Sequence, residues 1–350
     1  MIYNFDNKIF LREEKNGLTM YNSLTHSFHF YKDLTISILN NSSGNTFSED
    51  KLNLFLSEYE SQKNYDIEFT RPFALCWFIE NNCNLDCVYC FADDKMNLKY
   101  DKSKYMDTIN SIIEIEPLVI SLTGGEPTLS PFLNKILHAI NGKARIVLDT
   151  NGSTNNWDAL IPILYESNTL VRISIDSFSN QTLSLVRPMR NNNIEQIELI
   201  KKSIKKLLNE NISLSVHTVV SQYNINEIES IANYLLDIGI TRWHWFGVNY
   251  SEKCKIIYDK IKVNDDILCE KYLYLKDKLI NKIQLTYTPI LYHLGAKERL
   301  QVNASGDFFV DSIINGINFI GENPKKPTIG EICKELNVER HIDHYLKLNQ

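Results

Sequence analysis

Residues Phe73 to Phe91 read FALCWFIENNCNLDCVYCF. The run Phe73–Ile79 is apolar and carries strand character, and a polar loop follows it. A continuous apolar run bounded by a polar loop fits a strand buried on both faces. The loop holds three of the chain's seven cysteines, Cys83, Cys87 and Cys90. Thiolates are soft ligands, suited to zinc or to iron–sulfur clusters. A structural zinc site wants four ligands, usually in two close pairs. Here the spacing is CxxxCxxC and no nearby histidine completes a set. On a four-iron cluster three thiolates leave one iron without a protein ligand, open to bind and activate a small molecule.

Outward from this loop the chain alternates. LVISLT (Leu118 to Thr123), RIVLDT, LVRISID, ISLSVHTVV and TRWHWFG read as further strands, which makes six with the first. Between them, helices are expected at Asn155–Glu166, Asn193–Glu210 and Asn224–Ile238. Another should carry Met106, Ile109, Ile112 and Ile113 on one face, and another should start at Ser130 as N-cap, with Pro131 at its first position, and stop at Gly142. Strands alternating with helices predict an α/β protein with a parallel sheet. Such sheets place ligands at the carboxyl ends of their strands. CNLDCVYC, TGGEP, DTNG and IDS all follow strand ends. In TGGEP, Gly124 and Gly125 allow backbone to approach a ligand, the Glu126 carboxylate is a partner for an ammonium group, and Pro127 sets the turn.

CxxxCxxC flanked by Tyr89 and Phe91, followed by GGEP, resembles the radical S-adenosylmethionine (radical SAM) superfamily, over roughly Phe73 to Asn249. The resemblance implies a partial (β/α)6 barrel at residues 71–250. It implies one [4Fe-4S] cluster on Cys83, Cys87 and Cys90, with S-adenosylmethionine on the open iron. One-electron cleavage of that cofactor then gives a 5'-deoxyadenosyl radical, which takes a hydrogen atom from an unactivated carbon. Around the cofactor it implies Gly124, Gly125, Glu126 and Pro127 at the amine. Thr150 and Asn151 would meet the ribose or the carboxylate, unless DTNG is an ordinary turn. Ser174 and Arg187 would meet the methionine carboxylate. Asp176 shares a face with Ser174 and Arg172, where mutual pairing is the plain alternative. Val219 or Val220 would flank adenine, while His217 and the aromatics of RWHWFG read first as core. An electron donor such as flavodoxin or ferredoxin is implied.

The flanks carry two further likenesses. Leu294–Ile332 is similar to the SPASM or twitch extension of peptide-modifying relatives, with RLQVNASGDFFVDS as a hairpin, but Leu294 and Ser312 stand where cysteines are expected. No auxiliary cluster is therefore expected in the extension, residues 251–350. Residues 1–70 resemble a small leader-peptide recognition module: a β region, LTMYNSLTHSFHFY, then a helix capped by TFSE with Leu52, Phe55, Leu56 and Tyr59 on one face. A structural cap on the barrel is the alternative. The leading expectation is an enzyme that modifies a ribosomally made peptide or a protein side chain. For an epimerase, Cys254, Cys269 or Cys333 would return the hydrogen atom. The second is a nucleotide or other small-molecule enzyme of the viperin type, whose phosphates would need cations beyond Arg172, Arg187, Arg190 and Arg242.

Bulk properties narrow the setting. A net charge of −6 and pI near 5.8 give no basic footprint for nucleic acid. No apolar run reaches the roughly 18–20 residues of a membrane span. The opening MIYNFDNKIFLREEK lacks the order of a signal peptide. An odd number of cysteines argues against a disulfide framework. A reducing, cytoplasmic compartment is the expectation.

Overall fold

The computed structural model describes residues 2–25, 27–38, 52, 71–92, 104–190, 196–288, 299–312, 316–321, 327–336 and 341. Two sheets organise them. The first is antiparallel, in the order β1 (Ile2–Phe5), β2 (Ile9–Glu14), β3 (Gly17–Asn22) and β4 (Ser27–Lys32). Asp6 and Asn7, with φ of 51° and 54°, turn β1 into β2 within a three-residue connection in which Lys8 N donates to Phe5 O. The β region therefore begins well before Leu18. One face of this sheet, Phe10, Tyr21, Phe28 and Phe30, packs on Phe73, Ala74, Leu118, Val119, Val147 and Leu170. The other face, including Ile9, Leu11, Leu18 and Met20, is covered by Leu34, Ile36 and Leu52. The expected TFSE cap and Phe55, Leu56 and Tyr59 lie outside the described residues.

The second sheet carries the six expected strands, β5 (Ala74–Glu80), β6 (Val119–Gly124), β7 (Arg145–Thr150), β8 (Leu170–Ser174), β9 (Leu214–Val220) and β10 (Arg242–Gly247). Each pairs in parallel with the next. Expected helices appear at Trp157–Glu166, Gln196–Asn209 and Ile228–Asp237. The α/β partial barrel is borne out. Two expectations need correction. Tyr105–Ile115 buries Ile109, Ile112 and Ile115 but leaves Met106 46% exposed. The helix expected from Ser130 begins at Leu133, because Pro127–Leu129 first forms a 3-10 turn that Ser130 closes.

The alternation also continues past Asn249. The helix Asp265–Lys278 leads to β11 (Gln284–Thr288), parallel to β10, and β12 (Leu300–Val302) joins the opposite edge in parallel with β5. These strands have only five and three residues, too short for a periodic signal. The NASG hairpin is present: β13 (Phe308–Ser312) returns antiparallel to β12, and the Asn303 side chain accepts from the amides of Ser305 and Asp307. β14 (Gly316–Gly321) completes a sheet of ten strands. Among the described residues no helix is long and apolar enough to cross a membrane.

Candidate active site

Inside the barrel lies a cavity of about 440 Å³, within the size range of small-molecule sites. The cysteine loop forms part of its upper rim, where the strands end. That loop is pinned to the segment after the helix Asn180–Val186. Val88 N donates to Val186 O, Asp86 N to Pro188 O and Arg190 N to Asn84 O, and Leu85 bridges Met189. Cys83, Cys87 and Cys90 all line the cavity. Burial raises the pKa of the Cys83 thiol and pushes that of Cys87 up to about 12.

The GGEP turn is held from below and from the side. Gly124 has φ of +142°, and a Cβ there would sit 2.2 Å from Glu80 O; one on Gly125 would sit 2.3 Å from Asn82 O. Gly125 N donates to Glu80 O and Glu126 N to Asn82 O. These glycines thus answer first to the close approach of the β5 end. The Glu126 carboxylate is fully buried and accepts four protein hydrogen bonds. Thr128 N, Thr128 Oγ1 and Thr150 Oγ1 reach Oε1, and Asn151 N reaches Oε2 at 2.8 Å. Burial raises its pKa, against the pull of those donors. Glu126 therefore ties the turn after β6 to the turn after β7. Asn151 continues the chain of contacts, with Nδ2 donating to Asn84 Oδ1 in the cysteine loop.

Across the rim, Asp176 is equally engaged. Its Oδ2 accepts from Tyr89 Oη at 2.6 Å and Arg187 Nη1 at 3.2 Å, and its Oδ1 from Val219 N at 2.7 Å. Arg187 is buried and also donates to Ser174 O. Burial opposes its charge, but Asp176 and the nearby thiols hold its pKa above the ordinary value. Burial first, then Asp176, pushes the Tyr89 phenol well above its usual range. Arg172 does not pair with Asp176. It donates through Nε and Nη2 to Asp149 and through Nη2 to Ser121 Oγ.

Below the rim a polar belt runs around the wall. Register aligns Gln301, Cys76 and Ser121 on β12, β5 and β6. It aligns Arg172 with Ser215, and Ser174 with His217, His244 and Thr286. His217 is held neutral, its pKa driven well below the usual range by burial and then by Arg172 and His244. His244 bridges Thr286 and Thr288. The floor is shared with the N-terminal sheet, through Tyr21 and Phe28.

Every residue assigned to the cofactor from the sequence lines this cavity except Pro127 and, of the pair Val219 and Val220, the buried Val220. The thiols named as hydrogen donors do not line it. Cys254 is fully buried behind the rim with Tyr89 and Val186, Cys269 is exposed on the helix Asp265–Lys278, and Cys333 lies on the helix Ile329–Glu335. Cys76 lines the cavity instead. Asp149, Ser215 and Gln301 were also missed, although period-two alternation on their strands marks inward positions.

The residues fit an iron–sulfur cluster by their donor set: three thiols outside any disulfide on one wall, joined at the rim to a Gly-Gly turn. Among the described residues no three side chains stand close enough to hold a single metal ion, and a polynuclear cluster spaces its thiolates more widely.

Comparisons with known proteins agree with this geometry. Residues 78–235 match the family model of the Radical SAM superfamily. An uncharacterised protein of Methanocaldococcus jannaschii is 24% identical over 256 residues, covering 69% of this chain and 86% of that protein. An S-adenosylmethionine-dependent nucleotide dehydratase of Fibrobacter sp. is 27% identical over 190 residues, 49% of this chain; the chain spans 54% of that relative. The crystal structure of Streptococcus suis SuiB bound to precursor peptide SuiA shares the fold, with a TM-score of 0.64 at 16% identity over 88% of this chain and 82% of that one. Residues 78–235, and the barrel that carries them, are thus similar to the Radical SAM superfamily, whose enzymes use a [4Fe-4S] cluster and S-adenosylmethionine.

Proposed function

We propose that Cys83, Cys87 and Cys90 hold the cluster, that S-adenosylmethionine lies along the rim from Gly124–Glu126 past Asn151 to Arg187, and that the substrate is a small anionic molecule of nucleotide size. The cluster and cofactor together supply a one-electron cleavage that yields a radical able to take hydrogen from an unactivated carbon. The chain's own residues position and shield. Glu126 and Asp176 spend their lone pairs on protein donors, which fixes the strand ends before any ligand arrives. Phe91, with Phe78 at 6.2 Å, screens one side of the loop from water.

The observation that carries the substrate reading is charge. Six basic side chains line the cavity (Arg172, Arg187, Arg190, Arg242, Lys253 and Arg299) against three acidic ones, Glu126, Asp149 and Asp176, in a chain of net charge −6; Arg172 and Arg187 pair with Asp149 and Asp176, and Arg190 and Lys253 with Asp86 at the edge. Local excess of one sign inside a low-dielectric cleft attracts ligands of the other. The four arginines scattered in the sequence meet here, with Lys253 and Arg299 added. The nucleotide dehydratase among the relatives supports the same class. A peptide substrate is the second reading. It is favoured by β4, whose outer edge has no strand partner among the described residues and offers main-chain groups to an added strand.

The test is anaerobic. The reconstituted chain is given reductant and S-adenosylmethionine, and 5'-deoxyadenosine is measured with nucleoside phosphates or with short peptides encoded nearby. Stimulation by a nucleoside phosphate is expected. Stimulation by a peptide alone overturns the small-molecule reading in favour of the second, and no cofactor cleavage under any condition overturns both.

A further inference from the structure

The end of the cavity farthest from the cysteine loop is built differently from the rim. Tyr21, from β3, sits within electrostatic reach of Arg145, Arg242 and Arg172. Arg145 is 1% exposed; its Nη1 donates to Asn168 O, and its Nε has no hydrogen-bond partner among the described residues. It lies on the same face of β7 as Val147 and Asp149, one step below them. Arg242 donates to Leu24 O of the N-terminal sheet. Among the described residues, the influences on Arg145 and Arg242 are burial, Tyr21 and, for Arg145, the other arginine, with no carboxylate among them. Burial accordingly lowers both guanidinium pKa values, that of Arg145 to about 10. One layer up, two buried polar groups that line the cavity have no partner among the described residues: Ser215 Oγ on β9 and Gln301 Nε2 on β12, in residues 6% and 2% exposed.

Uncompensated charge and unbonded donors are costly in a protein interior. Of these groups Arg242, Ser215 and Gln301 line the cavity, beneath a rim whose carboxylates are all occupied, and an anion there would satisfy them. We infer that the floor of the barrel is an anion site, in which Arg242 supplies charge, Ser215 Oγ and Gln301 Nε2 supply hydrogen bonds, and Tyr21 of the N-terminal sheet closes the wall, and that it takes a phosphate or carboxylate group of the substrate. The inference rests on the anionic-substrate reading and gives it a direction. The acidic end lies deep, and the carbon to be attacked lies toward the cysteines. Strands of five to seven residues separate the two ends by about 15–20 Å, so the anchored group and the reacting carbon belong to opposite ends of the molecule.

Binding can be read without radical chemistry. The anaerobic, cluster-loaded chain is titrated calorimetrically with inorganic pyrophosphate and, separately, with succinate, in the absence of reductant and S-adenosylmethionine. The wild type should bind one of the two, which also decides between phosphate and carboxylate. Arg242→Gln should weaken binding at least about tenfold, and Arg242→Lys should restore most of it. Ser215→Ala should weaken it several-fold with the fold intact, because that hydroxyl has no protein partner to lose. Lys201→Gln, on an outer helix, should change nothing. Wild-type chain that binds neither anion overturns the inference. So does binding lost in Arg190→Gln at the rim but kept in Arg242→Gln and Ser215→Ala. A chain that binds the anion at the floor yet cleaves no cofactor keeps this inference and loses the catalytic reading instead.

Discussion

The rim and the floor of the barrel are both buried and both polar, yet they treat hydrogen bonds in opposite ways. At the rim, Glu126 takes four protein donors and Asp176 takes three, two of them from side chains as large as Tyr89 and Arg187. At the floor, among the described residues, Arg145 Nε, Ser215 Oγ and Gln301 Nε2 find none, and no carboxylate answers Arg145 or Arg242. The rim is a finished scaffold. A ligand there meets thiols and backbone, held in place by side chains already committed to one another. The floor keeps its bonding capacity, which is the pattern of a surface that selects a ligand. Generality of chemistry and particularity of substrate are thus separated by the length of the strands.

The largest effect that tests this contrast is removal of residues 1–32. Phe10, Tyr21, Phe28 and Phe30 would vanish from the floor, each worth about 1.5–3 kcal/mol of burial. Their sum rivals a typical total stability of about 5–15 kcal/mol. The truncated chain should aggregate or lose its thermal transition; a folded, cluster-binding barrel would show that the floor is not shared. Next, Cys83, Cys87 and Cys90 changed together to Ala should lower iron from about four per chain to none, by elemental analysis, while circular dichroism stays unchanged. Iron retained at the wild-type level would move the cluster away from the rim.

Glu126→Gln places an amide nitrogen against donors that need an acceptor. It should cost about 2–4 kcal/mol in chemical denaturation; a loss below about 0.5 kcal/mol would mean that the rim is not the rigid half. His217 gives a pH test. Its folded pKa lies below its unfolded value, so the unfolded chain binds the extra proton and stability falls as pH drops below about 6.5. Between pH 7.5 and 5.5, His217→Gln should lose about 1 kcal/mol less than the wild type. Equal slopes would remove His217 from the neutral belt. The smallest effect is Ser215→Ala, which should shift stability by less than about 1 kcal/mol in either direction. A large loss would reveal a structural partner and weaken the floor's claim to a ligand.

How much of this was legible without coordinates follows from the range of each signal. CxxxCxxC, GGEP and the apolar strands before them are local; they carried the barrel and the cysteine loop into view, and the resemblance they support named the rim residues from Tyr89 to Val219. Tyr89, Gly124 and Asn151 could be named because each sits next to a motif in the chain. What Glu126 and Arg187 bond to could not, since Thr150 and Asn151 lie more than twenty positions from Glu126, and Asp176 reaches Arg187 only through the bend between a strand and a helix. β11 and β12 escaped because strands so short show no period, and their pairing with β10 and β5 is long-range. Cys254, Cys269 and Cys333 looked available as thiols, but burial and helix position decide access, and neither is written in a single residue. The floor was the least legible part. Tyr21, Arg145, Arg242 and Gln301 come from four distant stretches, each unremarkable alone, and only the closing of the sheet onto the N-terminal strands makes them neighbours. Sequence determined which chemistry the chain carries, because thiols and a Gly-Gly turn act through local geometry; tertiary structure decided where charge is left uncompensated, because that depends on what every other segment does or does not bring nearby.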